Sequence, residues 1–512
     1  MTPVYPAAQI RDIDRDAVEK HGVPSLVLME NAAIGALDVI IETGIELDDA
    51  HVVIVCGRGN NGGDGLALAR HCAIHGAVVE CWLLDDPASL SSDAAAQLAM
   101  LESLVPGAVS RWLGVPEPVA ADLLVDAILG TGASGAPRGA YAEAIDWLND
   151  CEGVRLALDL PSGLDAATGA LSATTFHADV TATMAALKPG LLLGDGALAA
   201  GTVYIVHIGV PESSYPEADC WLLDSTIAAA NLPPVDRRRH KYDRGRVLVV
   251  AGSRGMTGAG VMAAEAAARA GAGLTVLALP EGAAPIAQSM APEIMTRWLA
   301  SDADGSFASG ALESIADEIE GFAAVAVGPG LSRASGPAAL VGELLRTVAA
   351  TVVLDADGLA PFAGTPERLA DRRGELVITP HHGEMARLLG CSSAEVGADP
   401  LSIARAAARS TNAIVVLKGA PTVIALPDAR AWIASSGNPG MASGGTGDVL
   451  TGMIVSLVAQ TRDAVGATLA AVHLHGLAAD RAAEITTERA LLASDIVAAI
   501  PAAYRSLEGE GA

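Results

Sequence analysis

The chain has 512 residues, 51% of them hydrophobic, with a formal net charge of −28 and six cysteines. Its length provides for two or more domains with separate cores, and its acidity excludes a surface built for nucleic acid or an anionic membrane, either of which needs a basic field. Cys56, Cys72, Cys81, Cys151, Cys220 and Cys391 form no CxxC pair, which argues against a zinc or disulfide framework. Met1-Thr2-Pro3 opens no charged and then apolar leader, and no apolar run reaches spanning length, so a cytoplasmic protein without membrane contact is expected.

A helical stretch from about Ala7 to Ile41 precedes an apolar strand at His51 to Cys56. Strands are then predicted at Val78 to Leu84, Leu123 to Ala127, Arg155 to Leu160, Val180 to Met184 and Thr202 to Ile208, alternating with amphipathic helices. Apolar strands joined by helical crossovers imply a parallel sheet covered on both faces. The pattern stops near residue 225, and the proline-rich, then basic run Leu232 to Lys241 marks a linker over residues 226–240. A second α/β series follows, with strands at Arg246 to Val250, Leu274 to Leu279, Ala323 to Val327, Thr351 to Leu354, Glu375 to Ile378 and Ala413 to Leu417. A hairpin at Thr422 to Leu426 and Ala431 to Ala434 leads to the closing helices. The fold class is therefore α/β, with two three-layer αβα domains over residues 1–225 and 241–512.

The chemistry gathers at the predicted strand ends. In the first half, Gly57-Arg58-Gly59-Asn60-Asn61-Gly62 matches the GxGxxG of a dinucleotide turn, and Gly63-Asp64-Gly65 extends it with an acid that a plain pyrophosphate turn does not need. Asp126 to Gly132 and Asp159 to Asp165 follow two further strands, and a lone aspartate there is more often a helix cap than a catalyst. Oxygens of Asn61, Asp126 and Ser162 suit a hard cation, with too few carboxylates to require a divalent one. Only Lys20, Lys188, Lys241 and Lys418 are lysines, against 28 arginines, and the last three sit beside glycine or proline turns. A lysine retained against such drift marks a place for a compact ammonium.

In the second half, Gly437 to Asp448 carries four glycines in the eight residues before Asp448 and runs straight into an apolar helix. Such a turn is an anion hole made of bare N–H groups and a helix dipole. A carboxylate there serves phosphoryl transfer when it takes the proton of a neighbouring hydroxyl, although Thr446 and Asp448 are also good helix caps. Lys418 at a strand end has the reach for a nucleotide phosphate or simply closes a hairpin. His381 and His382 are neighbours in an extended segment, point to opposite sides and have no third ligand nearby, which argues against zinc.

The set GxGNNGGDG, DAILGTG, LDLPSGLD and Ala185 to Gly190 resembles the NAD(P)H-hydrate epimerase domain over nearly all of residues 1–225. The resemblance implies substrate contacts at Asn60, Asn61, Gly62, Gly63, Asp64, Gly130, Thr131, Gly132, Ala133, Ser134, Gly135 and Ala136. It further implies an acid–base role for Asp159, which also contacts substrate, and K⁺ ligands at Asn61, Asp126 and Ser162. The ordered set GPGL, DADGL, TPHHGE, VVLKG and GNPGMASGGTGD resembles the ribokinase-like NAD(P)H-hydrate dehydratases over roughly residues 235–505. Here substrate contacts are implied at Ala259, Gly330, His381 and the catalytic Asp448, and ADP contacts at Lys418, Gly419, Ala420, Pro421, Thr422 and Gly447. The chain departs from that family at Asp243-Arg244, where a glycine is usual.

Together these imply a bifunctional repair enzyme for NADHX and NADPHX, the nicotinamide rings hydrated at C6. The first half would interconvert the R and S epimers, and the second would dehydrate the S form with ADP and Mg²⁺ to give NAD(P)H, AMP and phosphate. A homo-oligomer is expected, with no nucleic-acid partner. The alternatives are a ribokinase-like small-molecule kinase that releases its phosphorylated product, and a binding protein of the epimerase-like type found in RNA-decapping scaffolds.

Overall fold

The computed structural model describes residues 1–133, 135–238 and 240–509. Two compact units divide at Asp219 and Cys220. The N-terminal unit is built on seven strands: β1 (His51–Cys56), β2 (Val78–Leu83), β3 (Val109–Arg111), β4 (Ala120–Ala127), β5 (Glu152–Leu158), β6 (Val180–Met184) and β7 (Thr202–Val206). All run parallel in the order β3-β2-β1-β4-β5-β6-β7. β1 is buried from Val52 to Cys56, as a strand covered on both faces must be, and its apolar side chains join a core with the helices Ser25–Glu42 and Asn60–Ile74. Strand order reverses between β1 and β4, which opens a crevice at their carboxyl ends, the usual ligand position in an open α/β sheet.

The C-terminal unit holds ten strands: β8 (Cys220–Leu223), β9 (Arg246–Val250), β10 (Leu274–Pro280), β11 (Met295–Leu299), β12 (Ala324–Val327), β13 (Thr351–Leu354), β14 (Leu376–Ile378), β15 (Ile414–Leu417), β16 (Val423–Ala425) and β17 (Ala431–Ala434). Their order is β11-β10-β9-β12-β13-β14-β15-β16-β17-β8. The strands from β9 to β15 run parallel, β16 is antiparallel to both neighbours, and β8 lies parallel to β17 at the edge. The helix Thr446–Thr461 is buried on nearly every side, which explains why it is apolar all round rather than amphipathic. It approaches the helix Thr257–Arg269 so closely that a Cβ on Gly452 would lie 2.0 Å from the Ala263 carbonyl oxygen.

The expected boundary moves. β8 precedes residue 225 yet extends the C-terminal sheet, with Trp221 stacked on Trp432 at 5.2 Å, and the helix Ser225–Ala230 occupies part of the expected linker. The C-terminal unit therefore begins at Cys220 rather than at residue 241, and the N-terminal unit ends at Asp219 rather than at residue 225. The short edge strands β3, β8 and β11 have no counterpart among the predicted strands, and the N-terminal helical stretch is two helices, Ala7–Glu19 and Ser25–Glu42. No helix among the described residues is long and apolar enough to cross a membrane.

Candidate active sites

In the N-terminal unit the chain leaves β1, turns at Gly57 to Gly59, and starts the helix Asn60–Ile74 over the crevice. Only glycine fits inside that turn, since a Cβ on Gly62 would lie 1.8 Å from the Gly57 carbonyl oxygen. Asn60, Asn61 and Asp64 line a cavity of 730 Å³ together with Gly130, Thr131, Gly132, Ala133 and Asp159. Gly62 and Gly63 are buried behind the turn and shape it, whereas Gly135 and Ala136 are exposed beyond the lining; Ser134 lies outside the described residues.

Asp159 follows β5 with a left-handed backbone, φ 67°, a strain of order 1–3 kcal/mol for a residue with a side chain. Its carboxylate is buried and bonded at both ends. Oδ2 accepts the Thr131 N–H at 2.8 Å, and Oδ1 accepts Lys188 Nζ at 2.5 Å. The fully buried Lys188 spends its other donors on Thr183 Oγ1 and the Met184 carbonyl, each at 2.8 Å. Burial alone would push the Asp159 carboxyl up, but the Lys188 ammonium and the Thr131 N–H hold it below the usual carboxylate range. The opposite holds for Asp64, which burial and the nearby Asp159 and Asp14 push well up.

Asp126, at the end of β4, is fully buried and builds the turn beside the cavity. It accepts the N–H groups of Ser162 (2.7 Å) and Ile128 (3.0 Å) and the Ser162 hydroxyl (2.7 Å). Burial outweighs these bonds and pushes its carboxyl up to about 6. No cationic side chain pairs with it among the described residues, and both polar atoms of the Asn61 side chain are buried without a partner. An uncompensated carboxylate and an orphaned amide oxygen are both groups that suit a monovalent cation.

In the C-terminal unit the expected residues gather at the carboxyl ends of β9, β12, β14 and β15. Ala259 and Gly330 adjoin, a Cβ on Gly330 lying 3.1 Å from that of Ala259, and Gly330 has φ 59°. The Gly252 N–H donates to the Pro329 carbonyl at 2.8 Å and ties the two loops together. Met262, one turn along the same helix from Ala259, lies under Gly445, the residue that starts the helix carrying Asp448. His381 caps the helix His382–Leu389, its Nδ1 accepting the Gly383 N–H at 2.9 Å, and it faces Lys418 across a β-bridge. Gly419, Ala420, Pro421 and Thr422 form the turn from β15 to β16, with the Thr422 hydroxyl donating to the Gly419 carbonyl.

Lys418 Nζ lies beneath Gly447, 3.0 Å from where a Cβ there would stand. It donates to Asp355 Oδ1 at 2.8 Å and is 3.9 Å from Glu384 Oε2; Asp355 Oδ2 accepts the buried Thr451 hydroxyl at 2.8 Å. Burial would lower the Lys418 ammonium, but Asp355 and Glu384 hold it above its ordinary value. Burial and the Asp355 charge push Asp448 up to about 7, with Lys418 only partly opposing them. This carboxyl is therefore poised to exchange a proton near neutrality.

Lys188, Asp355, Glu384 and Asp14 had no expected role. The scarcity of lysine pointed at Lys188, and the DADGL and TPHHGE motifs contain Asp355 and Glu384. Asp14 carried a subtler signal, standing in the apolar stripe Ile10, Ile13, Ala17.

Two α/β units, each with an acid and a lysine at the carboxyl ends of parallel strands beside a glycine turn, have the arrangement of an α/β enzyme. A family model of NAD(P)H-hydrate dehydratase matches residues 247–502, and one of the YjeF-related protein N-terminus matches residues 25–190. A bifunctional NAD(P)H-hydrate repair enzyme of Moorella thermoacetica is 40% identical, over 98% of this chain and 97% of its own. The enzyme of that name from Escherichia coli is 36% identical over 96% of this chain and 92% of its own. The crystal structure of an ADP/ATP-dependent NAD(P)H-hydrate dehydratase from Bacillus subtilis, co-crystallised with ATP/Mg²⁺, superposes with a TM-score of 0.50 at 32% identity, covering 56% of this chain and 98% of that one. The chain belongs to the family of bifunctional NAD(P)H-hydrate repair enzymes.

Proposed function

We propose that the N-terminal cavity interconverts the R and S forms of hydrated NADH and NADPH, and that the C-terminal site dehydrates the S form at the expense of ADP. The observation that carries this reading is the geometry of one acid in each unit: Asp159 bonded directly by the buried Lys188 at 2.5 Å, and Asp448 in the first turn of a glycine-led helix whose neighbouring lysine is bonded to Asp355 instead.

Hydroxide is a poor leaving group, so the C6 hydroxyl has to become a phosphate ester. Asp448 takes its proton as the oxygen attacks the terminal phosphate of ADP, while the amides of Gly444 to Gly447 and the Lys418 ammonium hold the phosphate charge. The ring nitrogen then expels phosphate, and loss of a C5 proton restores the double bond, leaving NAD(P)H, AMP and phosphate. No cluster of three metal-ligating side chains occurs among the described residues, which suits Mg²⁺, an ion carried on nucleotide phosphates with one or two carboxylates. Glu384, 3.9 Å from Lys418 Nζ, is the carboxylate that would hold it, and the ion would neutralise phosphate charge. K⁺ would be held by Asn61 and Asp126, with Ser162 orienting the carboxylate, and would supply a fixed positive charge beside the cavity.

The test combines the full chain with separated R and S hydrates, Mg²⁺ and ADP, and follows the near-ultraviolet absorbance of reduced nicotinamide. Both epimers should yield NAD(P)H and free phosphate. A stable phosphorylated product in place of phosphate would establish a kinase instead.

A further inference from the structure

Asp14 enters the N-terminal cavity from the helix Ala7–Glu19, on the stripe that buries Ile10, Ile13 and Ala17. A carboxyl so placed has to find a partner or give up its charge. Its Oδ1 is buried without any hydrogen-bond partner, and no lysine or arginine forms an ion pair with it among the described residues. The groups that face it are Asp159 with Lys188 behind it, Asp64 from the helix Asn60–Ile74 and Tyr215; Arg11 and Arg15 line the cavity from its own helix. Lys188 is already bonded to Asp159, so a single buried ammonium serves one of these acids and leaves the other uncompensated.

We propose that Asp14 is the proton donor of the epimerisation, working against Asp159 as the proton acceptor across the hydrated carbon of the nicotinamide ring. The proposal rests on the epimerase reading of this cavity. The C6 carbon bears both a hydroxyl and the ring nitrogen, so its configuration is lost when the bond to nitrogen opens. Asp159 takes the hydroxyl proton, the O–H electron pair becomes the second bond of an aldehyde, and the C6–N1 pair goes to the nitrogen, where Asp14 delivers its proton. Rotation about the C5–C6 bond turns the other face of the aldehyde to the nitrogen. Closure then runs both protons back, so Asp14 ends protonated and Asp159 ionised, and neither oxidant nor water is consumed. An acid and a base whose surroundings drive their affinities apart are what such a reaction needs. Burial and Asp159 push Asp14 up to about 6, Lys188 opposing, while Lys188 holds Asp159 down.

The test follows R-to-S conversion by the full chain, corrected for the spontaneous rate, in wild type, Asp14→Asn and Asp14→Glu across a pH series. R-hydrate affinity, measured directly, reports an intact N-terminal cavity, and dehydration of S hydrate by the same preparations reports equal amounts of active chain. Asp14→Asn should convert R hydrate roughly 10²-fold or more slowly while still binding it, and should lose the fall in rate that wild type shows as pH rises through about 6. Asp14→Glu should recover part of the rate and the pH limb. The proposal is overturned if Asp14→Asn keeps half the rate with the same limb. It is equally overturned if both variants are inactive because both have lost R-hydrate binding, which would make Asp14 structural. A wild-type chain that does not epimerise at all would count against the epimerase reading itself.

Discussion

Asp159 and Asp448 occupy comparable places, each at the carboxyl ends of parallel strands, each beside a glycine turn and each near a lysine, yet their proton affinities move in opposite directions. The difference lies in the lysine. Lys188 bonds Asp159 itself at 2.5 Å, whereas Lys418 bonds Asp355 at 2.8 Å and reaches Asp448 only through space. A lysine committed to the acid fixes it as a carboxylate, while a lysine committed to a second acid leaves the first to titrate near neutrality.

The sharpest way to break this comparison is to remove each carboxylate and ask whether the two activities separate. Asp448→Asn should lower dehydration of S hydrate by roughly 10²–10⁴-fold with epimerisation untouched, and retention of more than about a tenth of the rate would remove Asp448 as the base. Asp159→Ala should stop conversion of R hydrate and spare dehydration of pure S hydrate, so parallel loss of both activities would mean that the sites are not independent. Lys188→Met strands a buried carboxylate and should cost about 3–5 kcal/mol in a denaturation experiment, against a much smaller loss for Lys188→Met combined with Asp159→Leu.

Titration sharpens the same contrast. With Asp448 as the proposed base and its affinity raised, kcat/KM for dehydration should climb as pH rises through about 7. Asp355→Asn removes a negative neighbour and frees Lys418, which lowers the midpoint, whereas Lys418→Met removes the opposing charge and raises it. Identical midpoints in all three proteins would show that another group governs the profile. The smallest effect concerns the cation: K⁺ at ten times its dissociation constant should stabilise the N-terminal unit by roughly 1.4 kcal/mol over Li⁺ at matched ionic strength. Asp126→Ala should erase that difference, and superimposable melting curves for the wild type would leave Asp126 as a turn-building residue.

The central strands and the glycine turns were legible because their signals are local. β1, β6, β9, β13 and β17 have the predicted limits, since continuous apolar runs bounded by glycine, proline or charge leave little choice. β3, β8 and β11 are short edge strands, each paired on one side only. β8 pairs with β17 about two hundred residues later, a fact that neither segment announces. The site was legible in the same degree. Motifs named the residues on each turn, but which lysine served which acid, and that Asp14 turns inward, depend on helices meeting across the crevice.

β8 also has a consequence for how the two activities can be parted. The proline-rich run after Leu232 invites a cut, but a fragment starting at residue 231 lacks both β8 and the helix that buries Ile227 against the C-terminal core. β17 would then present an unpaired strand edge, with Trp432 stripped of its stacking partner, and open edges of this kind recruit other chains. The joint at which this polypeptide separates into modules is Asp219–Cys220, and the conspicuous spacer downstream of it lies inside the second module.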